Sequence, residues 1–441
     1  MAGSVHDSAL YSKLFPAGEV SRLFTDGAEV RAMLLVQGTL AKVQGKAGVI
    51  PEIAGAFIHR SALEIALDPG SLAVATGQNG VPVPALVAEF RKAMEAPEHA
   101  QYLHWGATSQ DIMDTGLMLR LRQVLALMDD GITALLGDLA TLAETHADLP
   151  MAGRTYGQHA TPVSFGNVAA NWGWPLIDLA RELATIRETG LLVSLSGAAG
   201  TGSELGPDPA ALRADLAKAL NLSDPGRSWH ADRGPILRIG AWMARLATAL
   251  AKMGEDLIAL TQSGISEVRL GASGASSTMP QKQNPVGPSA LVALARQVTA
   301  QHSALLAAGS PRQERDGAAW FTEWLCLPQL VLSCAAALET ARTLAPTLTP
   351  DGEAMAAALA QSNGLIHAEA LSFHLTTHMP RPDAQAAVKD ACRRAQAQGR
   401  HLRDVAADLW PDIETASVFS IAAQLGTAPT DARAFAAAAR G

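Results

Sequence analysis

Long helical stripes of apolar residues dominate the hydrophobic pattern of this chain. Between residues 112 and 148, apolar side chains recur every three or four positions, at Leu117, Leu121, Val124, Met128, Ile132, Leu135, Leu139 and Leu142. This spacing predicts one continuous helix about 55 Å long at 1.5 Å per residue. Comparable patterns cover residues 163–188, 236–265, 289–308 and 318–344. No period-two run of useful length predicts a strand.

Five long helices require one another to bury their apolar stripes. We therefore predict an all-α protein whose central domain, residues 113–348, is a long-helix bundle. Shorter helical patterns on either side predict an N-terminal helical domain over residues 1–112 and a C-terminal helical domain over residues 349–441. A long bundle has much lateral apolar surface, which favours homo-oligomerisation.

Composition narrows the class of protein. The 441 residues are 48% hydrophobic and 17% charged, which is typical of a folded chain with a large core. The net charge of −8 and the lack of a basic run argue against nucleic acid as the main partner. The three cysteines have no CxxC spacing, and neither a secretion signal nor an 18-residue apolar run is evident. We expect a cytoplasmic protein with no membrane partner.

Three polar segments flank the long helices and carry the candidate chemistry: residues 104–115, 154–162 and 271–289. The last is rich in Gly, Ser and Pro, so it is predicted to be a loop. It contains two adjacent hydroxyls, Ser276 and Ser277, followed by Lys282 and Asn284. Composition alone fits a mobile surface connection equally well.

The order of residues in this loop resembles a known signature. SSTMPQKQNP, Ser276 to Pro285, is similar to the SSxMPxKxNP loop of the fumarase/aspartase superfamily. The resemblance implies an all-α homotetramer whose active sites combine three such segments from different subunits, without a cofactor. It also implies that Ser276 carries the proton, with Lys282 helping it to ionise. Ser277, Lys282 and Asn284 would bind the carboxylates of a small polycarboxylate substrate.

The segment HWGATSQDIMDT, residues 104–115, resembles the TSxDxxxT region of the same superfamily. Thr108 and Ser109 would then hydrogen-bond substrate carboxylates. His104 is a further candidate for substrate contact, with a structural role as the alternative. Asp111 and Asp114 suit the capping of a helix N-terminus.

The segment GRTYGQHATP, from Gly153, resembles the RTHxQxAxP region of the fumarate-releasing lyases. Arg154, Thr155 and Gln158 are candidates for substrate binding, since arginine suits bidentate carboxylate recognition. His159 either orients a carboxylate, shuttles a proton or is structural. Tyr156 stands where those lyases carry the histidine linked to general-acid catalysis.

Further stretches resemble the 3-carboxymuconate lactonizing subfamily. They include SWH at Ser228–His230 and QERDGAAWFTEWLCLP at Gln313–Pro328, where Arg315 either binds substrate or forms a surface ion pair. Gln37 stands where that subfamily usually has an acid. The resemblance spans residues 4 to 400 approximately.

This subfamily implies a cycloisomerase that converts 3-carboxy-cis,cis-muconate to 4-carboxymuconolactone in aromatic-acid catabolism (the protocatechuate and β-ketoadipate route). The leaving group in opening such a lactone is a carboxylate, which leaves without a proton because its conjugate acid has a pKa of about 4. The lack of a histidine at Tyr156 therefore favours this reaction over a lyase reaction, with Tyr156 acting as an acid itself as the alternative. The alternatives are a fumarate-releasing lyase, such as adenylosuccinate lyase, and a non-catalytic structural relative. His367, His374 and His378 have loose spacing, and we expect no metal site.

Overall fold

The computed structural model describes residues 3–271, 274–275, 279 and 282–441, and helices dominate this part of the chain. The five predicted long helices are present as α6 (Ser109–Thr145), α7 (Phe165–Gly190), α9 (Gly234–Leu260), α10 (Val286–Ala308) and α11 (Gly317–Leu344). The prediction of an all-α fold is confirmed. Helix α6 alone has 37 residues.

Shorter helices occupy much of the rest of the described chain. They are α1 (Asp26–Lys46), α2 (Glu52–Glu64), α3 (Ala73–Asn79), α4 (Val83–Ala93), α5 (Pro97–Ala100), α8 (Pro209–Leu220), α12 (Gly352–Ala360), α13 (Ala368–Leu375), α14 (Arg381–Gln398), α15 (Leu402–Leu409), α16 (Ile421–Gln424) and α17 (Ala428–Arg440). Short 3₁₀ turns lie at Gly18–Phe24, Pro69–Leu72, Ala345–Thr347, Leu365–His367 and Ala416–Phe419.

The apolar stripe of α6 is buried along its length. Leu121, Val124, Ile132, Leu135 and Leu139 are each fully inaccessible to solvent. A repeat of three and four residues keeps these side chains on one face of a helix with 3.6 residues per turn. The stripe read from the sequence is therefore the packed face of α6.

The described chain divides into two compact units, each built from three separate stretches. Unit 1 comprises Met1–Gly131, Leu179–Thr248 and Ala293–Glu339. Its core includes apolar residues of α1, α2, α4 and α8. Helix α1 packs closely on α2 because Gly38 and Gly55 lack side chains: a Cβ on Gly55 would overlap the carbonyl oxygen of Ala41.

Unit 2 comprises Ile132–Asp178, Ala249–Val292 and Thr340–Gly441. Within it, α13, α14 and α15 enclose a small core around Leu371, Leu375, Val388 and Leu402. The two units do not correspond to the predicted domains 1–112, 113–348 and 349–441, which remain a proposal.

Unit 2 also contains a β-hairpin that the sequence did not predict. Strands β1 (Pro150–Thr155) and β2 (Gln158–Ser164) pair in antiparallel register, with Thr155 opposite Gln158. The two connecting residues, Tyr156 and Gly157, have φ of 52° and 74°. Positive φ at both positions is typical of the two-residue turn that matches the twist of a hairpin. The expectation of a plain loop over residues 154–162 was therefore wrong.

Two further strand pairs occur in the described residues, and each is too short to be predicted from sequence. Strand β3 (Val268–Arg269) pairs with β6 (Thr349–Pro350), and β4 (Gly274–Ala275) pairs with β5 (Gln283–Asn284). In the sequence, Ser276 lies between the two strands of the second pair.

Length and hydropathy alone would allow one helical stretch of the described chain, Gly317–Thr347, to cross a bilayer, with a window of mean hydropathy 1.4. However, 67% of that window is buried inside the protein. This burial is typical of a core helix, whose apolar residues are already used in packing.

Candidate active site

In unit 1, the residues before α6 form a tight loop against the segment that follows residue 193. His104 and Gly106 both have positive φ, of 65° and 69°. A Cβ on Gly106 would overlap the carbonyl oxygen of Glu204, so only glycine permits this approach. The loop delivers Thr108 and Ser109, both half-buried, at the start of α6.

The fully buried carboxylate of Asp111 organises this region. One oxygen, Oδ2, accepts hydrogen bonds from the backbone N–H groups of Thr108 and Gly197, both at 3.0 Å. The other, Oδ1, lies 2.8 Å from Nε2 of His230 and accepts from Ser194 Oγ at 3.2 Å and Ser196 N at 2.9 Å. A buried charge is costly unless it is paired or hydrogen-bonded, and five donors meet that need here.

Arg315 lies beside the same loop, held by neutral acceptors. Its Nε donates to Gln110 Oε1 at 2.9 Å, and its Nη2 donates to Thr108 Oγ1 at 3.1 Å and to the carbonyl of Ala198 at 3.2 Å. Within the described part of the chain, Arg315 forms no ion pair. The neighbouring acid, Asp316, forms an ion pair with Arg312, whose Nε lies 2.7 Å from Asp316 Oδ2.

Arg312 also keeps Asp316, the acid next to Arg315 in the sequence, in its ionised form. Its hydrogen bonds hold the pKa of the Asp316 carboxyl well below the usual range. Asp316 therefore stays ionised and bound to Arg312 rather than to Arg315. The Arg315 guanidinium, half-buried and without an acidic partner, is suited to bind a carboxylate from outside the chain.

His104 is held by the fully buried amide of Gln37, whose Nε2 lies 2.8 Å from the ring Nδ1. Burial lowers the pKa of His104 to about 4; Asp111 opposes this shift and Arg91 adds to it. The ring is therefore neutral near pH 7. A neutral imidazole can orient a carboxylate through its N–H group but offers it no charge.

In unit 2, the β-hairpin carries the second group of predicted residues near its turn. Thr155, Gln158 and His159 are exposed, and Tyr156 at the turn is fully exposed. The hairpin places these side chains together in space although the sequence predicted only a loop.

Arg154, at the base of this turn, is engaged within unit 2. Its Nη1 and Nη2 donate to Oε2 and Oε1 of Glu267 at 2.7 and 2.8 Å, and the Glu267 side chain is fully buried. Both Nη atoms of the Arg154 guanidinium are thus bonded to Glu267. Arg154 ties the hairpin to the segment after α9, and its role in substrate binding stays a prediction.

The segment after β3 carries the third group. Ser276 and Ser277 lie outside the described residues. Lys282 is exposed, with its backbone N–H bonded to the carbonyl of Met279 at 3.0 Å, and Asn284 is half-buried in β5. Both line a cavity of about 540 Å³, together with residues including Thr261, Ser266 and Arg269. A lysine and an asparagine at a polar cavity can bind an anion.

The described site residues thus divide between the two units. Unit 1 holds His104, Thr108, Ser109 and Arg315, and unit 2 holds Arg154, Thr155, Gln158, His159, Lys282 and Asn284.

Sequence reasoning missed two residues that support the unit 1 set, namely Gln110, which bonds to Arg315, and His230, which bonds to Asp111. The only signal for His230 was its place in the SWH stretch. It also assigned Asp114 to helix capping, which was wrong. Asp114 instead forms a buried bidentate pair with Arg233, at 2.8 and 3.0 Å. No group of three or more metal-ligating side chains occurs among the residues that the structure describes.

Comparison with known proteins adds independent findings. A family model described as Lyase matches residues 16–300. The 3-carboxy-cis,cis-muconate cycloisomerase of Pseudomonas aeruginosa is 37% identical over 402 residues, which cover 90% of this chain and 87% of that protein. The nitrosuccinate lyase of Streptomyces davaonensis is 34% identical, with 91% and 87% covered. The crystal structure of the 3-carboxy-cis,cis-muconate lactonizing enzyme from Pseudomonas putida matches with a TM-score of 0.92 at 32% identity, covering 98% of this chain and 99% of that one.

Proposed function

We propose a reaction for this chain from one premise, that the chain belongs to the lyase family whose model matches residues 16–300. The resemblance to the fumarase/aspartase superfamily is thereby confirmed. The proposed reaction is the closure of 3-carboxy-cis,cis-muconate to 4-carboxymuconolactone. A relative of that activity, 37% identical over 90% of this chain, supports the choice.

The observation that supports the proposal most directly is the set of neutral partners around the charged side chain of Arg315. This arginine is half-buried and bonded to Thr108, Gln110 and Ala198, but it has no acidic partner among the described residues. A guanidinium left without a counter-ion favours an anionic ligand. The substrate has three carboxylates, and one of them would supply the missing charge.

The reaction itself is intramolecular. One substrate carboxylate attacks its own double bond, so that a C–O bond forms and the π electron pair moves to the adjacent carbon. That carbon is next to another carboxylate, which takes up the developing negative charge. Protonation of the carbon completes the lactone, with the uptake of one proton overall. Since attack is intramolecular, orientation of the substrate contributes much of the rate.

The chain's residues divide between orientation and proton transfer. Arg315 and Thr108 would hold one carboxylate, with Ser109 and His104 as further donors. Ser276 would deliver the proton, assisted by Lys282. Ser277, Asn284, Arg154, Thr155, Gln158 and His159 complete the proposed set of contacts, and Arg154 would need to exchange part of its bond with Glu267 for one with substrate.

The proposal includes a cytoplasmic homotetramer with shared active sites. The three cysteines are free, as expected in a reducing compartment. The hairpin turn presents Tyr156 fully exposed, which suits a surface that a second subunit covers.

A fumarate-releasing lyase, such as adenylosuccinate lyase, is the second candidate, since one relative, the nitrosuccinate lyase of Streptomyces davaonensis, is a lyase and is 34% identical to the chain. Absorbance separates the two. Purified protein should remove the diene absorbance of 3-carboxy-cis,cis-muconate and should release no fumarate from adenylosuccinate in a parallel assay. Fumarate release without loss of the diene would reject the proposed reaction in favour of a lyase.

A further inference from the structure

A closed circuit of hydrogen bonds surrounds the proposed carboxylate site in unit 1. Arg315 bonds to Thr108 through Nη2 and to Gln110 through Nε. Gln110 Nε2 in turn donates to the backbone carbonyl of His230 at 3.1 Å. The His230 ring bonds to Asp111, and Asp111 accepts from the backbone N–H of Thr108. Five residues from three separate stretches of chain thus fix one another.

The buried members of this circuit have almost no surface that a ligand could contact. Gln110, Asp111 and His230 are each at least nine-tenths buried, whereas Thr108 and Arg315 are half-buried. The buried residues can therefore influence binding only through the positions of Thr108 and Arg315. A site is precise when the residues that touch the ligand are locked by a second layer of hydrogen bonds.

We propose that Asp111, His230 and Gln110 are positioning residues that hold Arg315 and Thr108 in the geometry needed to bind a substrate carboxylate. This inference deepens the proposed function and rests on it for the nature of the ligand.

His230 acts in this scheme as a hydrogen-bond donor. Its Nε2 faces a carboxylate oxygen at 2.8 Å, so Nε2 carries a proton and donates it. Its Nδ1 is buried and has no partner in the described part of the chain. An N–H donor at the position of Nε2 should therefore replace the ring, and glutamine can supply one.

The test measures the dissociation constant for propane-1,2,3-tricarboxylate by titration calorimetry, which does not depend on turnover. His230→Leu removes the donor and should weaken binding about tenfold or more, since a hydrogen bond to a charged group is lost. His230→Gln should restore the dissociation constant to within about threefold of the parent value. Gln110→Met, which breaks the link on the other side of Arg315, should weaken binding in the same direction and tests the circuit if His230→Leu fails to fold.

A double-mutant cycle separates positioning from general damage. If His230 acts partly through Arg315, His230→Leu should change the dissociation constant by a smaller factor in an Arg315→Met background than in the parent. Equal affinities of the parent protein, His230→Leu and Gln110→Met, including no binding by any of them, would overturn the proposal. So would full additivity in the cycle, or a failure of His230→Gln to restore binding.

The binding experiment and the absorbance assay test different claims, so either claim can be rejected without the other. Turnover of 3-carboxy-cis,cis-muconate with unaltered tricarboxylate binding in the variants would reject the positioning circuit alone. Altered binding in the variants without turnover would reject the proposed reaction alone.

Discussion

Arg233 is a buried charge near the candidate site that bonds to two buried acids at once. Its guanidinium forms one fork with Asp114, at 2.8 and 3.0 Å, and a second with Glu323, at 2.9 and 2.8 Å. It also lies over the ring of Trp229. Both acids are about 1% exposed. Replacing Arg233 by Met would leave two carboxyl groups buried without a counter-charge.

The structure allows lower and upper bounds on the free energy of unfolding that Arg233→Met should remove. Loss of one partner from a buried ion pair lowers the free energy of unfolding by about 3–5 kcal/mol. The folded variant can avoid unpaired charges by taking up two protons, and holding one Asp and one Glu protonated at pH 7 costs about 8 kcal/mol. We therefore expect a loss of about 3–8 kcal/mol at pH 7.

The loss should depend on pH. Burial raises the pKa of Glu323 even in the parent protein, although the charge and hydrogen bonds of Arg233 oppose the rise. Without Arg233 the folded state holds more protons than the unfolded state. Its stability relative to the parent then increases as the pH falls from 7 toward about 4, by about 1.4 kcal/mol per pH unit for each proton taken up.

Urea denaturation at pH 7 and pH 5.5, at fixed protein concentration, measures both effects. Arg22→Met is the matched control, because the Arg22–Glu19 pair is exposed on both sides and should contribute less than about 1 kcal/mol. The triple variant Arg233→Met, Asp114→Asn, Glu323→Gln should recover part of the loss. A loss below about 1 kcal/mol for Arg233→Met, or one that grows at pH 5.5, would refute the reasoning.

Three further predictions concern the candidate site. Gln37→Glu places a carboxylate against His104 and should raise the pKa of the His104 ring from about 4. NMR titration of the ring measures this pKa, and a value that stays near 4 would contradict the electrostatic argument. Tyr156→Phe should leave kcat within about threefold because lactone formation needs no acid there, whereas a loss beyond about a hundredfold would identify the hydroxyl as an acid. Ser276→Ala should abolish turnover in the absorbance assay while the oligomer persists by light scattering, and undiminished turnover would reject Ser276 as the proton carrier.

The long helices could be predicted from sequence because their signal is strong and local. The apolar stripe of the 37-residue helix α6 runs from Leu117 to Leu142, and tertiary packing buries nearly all of the positions that the pattern marks. Three polar segments beside these helices were also recognisable, because their composition departs sharply from the helical pattern around them. Both kinds of inference use only residues that are near one another in sequence.

Partners distant in sequence could not be read in this way. Arg154 and Arg315 both stand in family-like motifs, and sequence favoured Arg154 as the carboxylate ligand. The structure pairs Arg154 with Glu267, 113 residues away, and leaves Arg315 without an acid in the described residues. Whether an arginine is free to bind substrate depends on which acid folds beside it, and periodicity carries no information about that.

The hairpin over residues 150–164 was missed for a different reason. In its second strand the exposed residues Gln158, His159 and Thr161 do not alternate regularly with buried ones, so the strand lacks the pattern that marks a half-buried strand. Its turn depends on positive φ at Tyr156 and Gly157, and tyrosine is an uncommon residue for that conformation.

The most direct test of the proposed function is the identity of the product formed from 3-carboxy-cis,cis-muconate in D₂O. The account predicts a lactone with the full carbon skeleton and one deuterium, in the methylene group next to the side-chain carboxylate, visible by mass spectrometry and NMR. A single solvent-derived deuterium would show that ring closure and one proton transfer occur together on this protein. Fragmentation of the skeleton, or a lactone without deuterium, would contradict the proposed reaction.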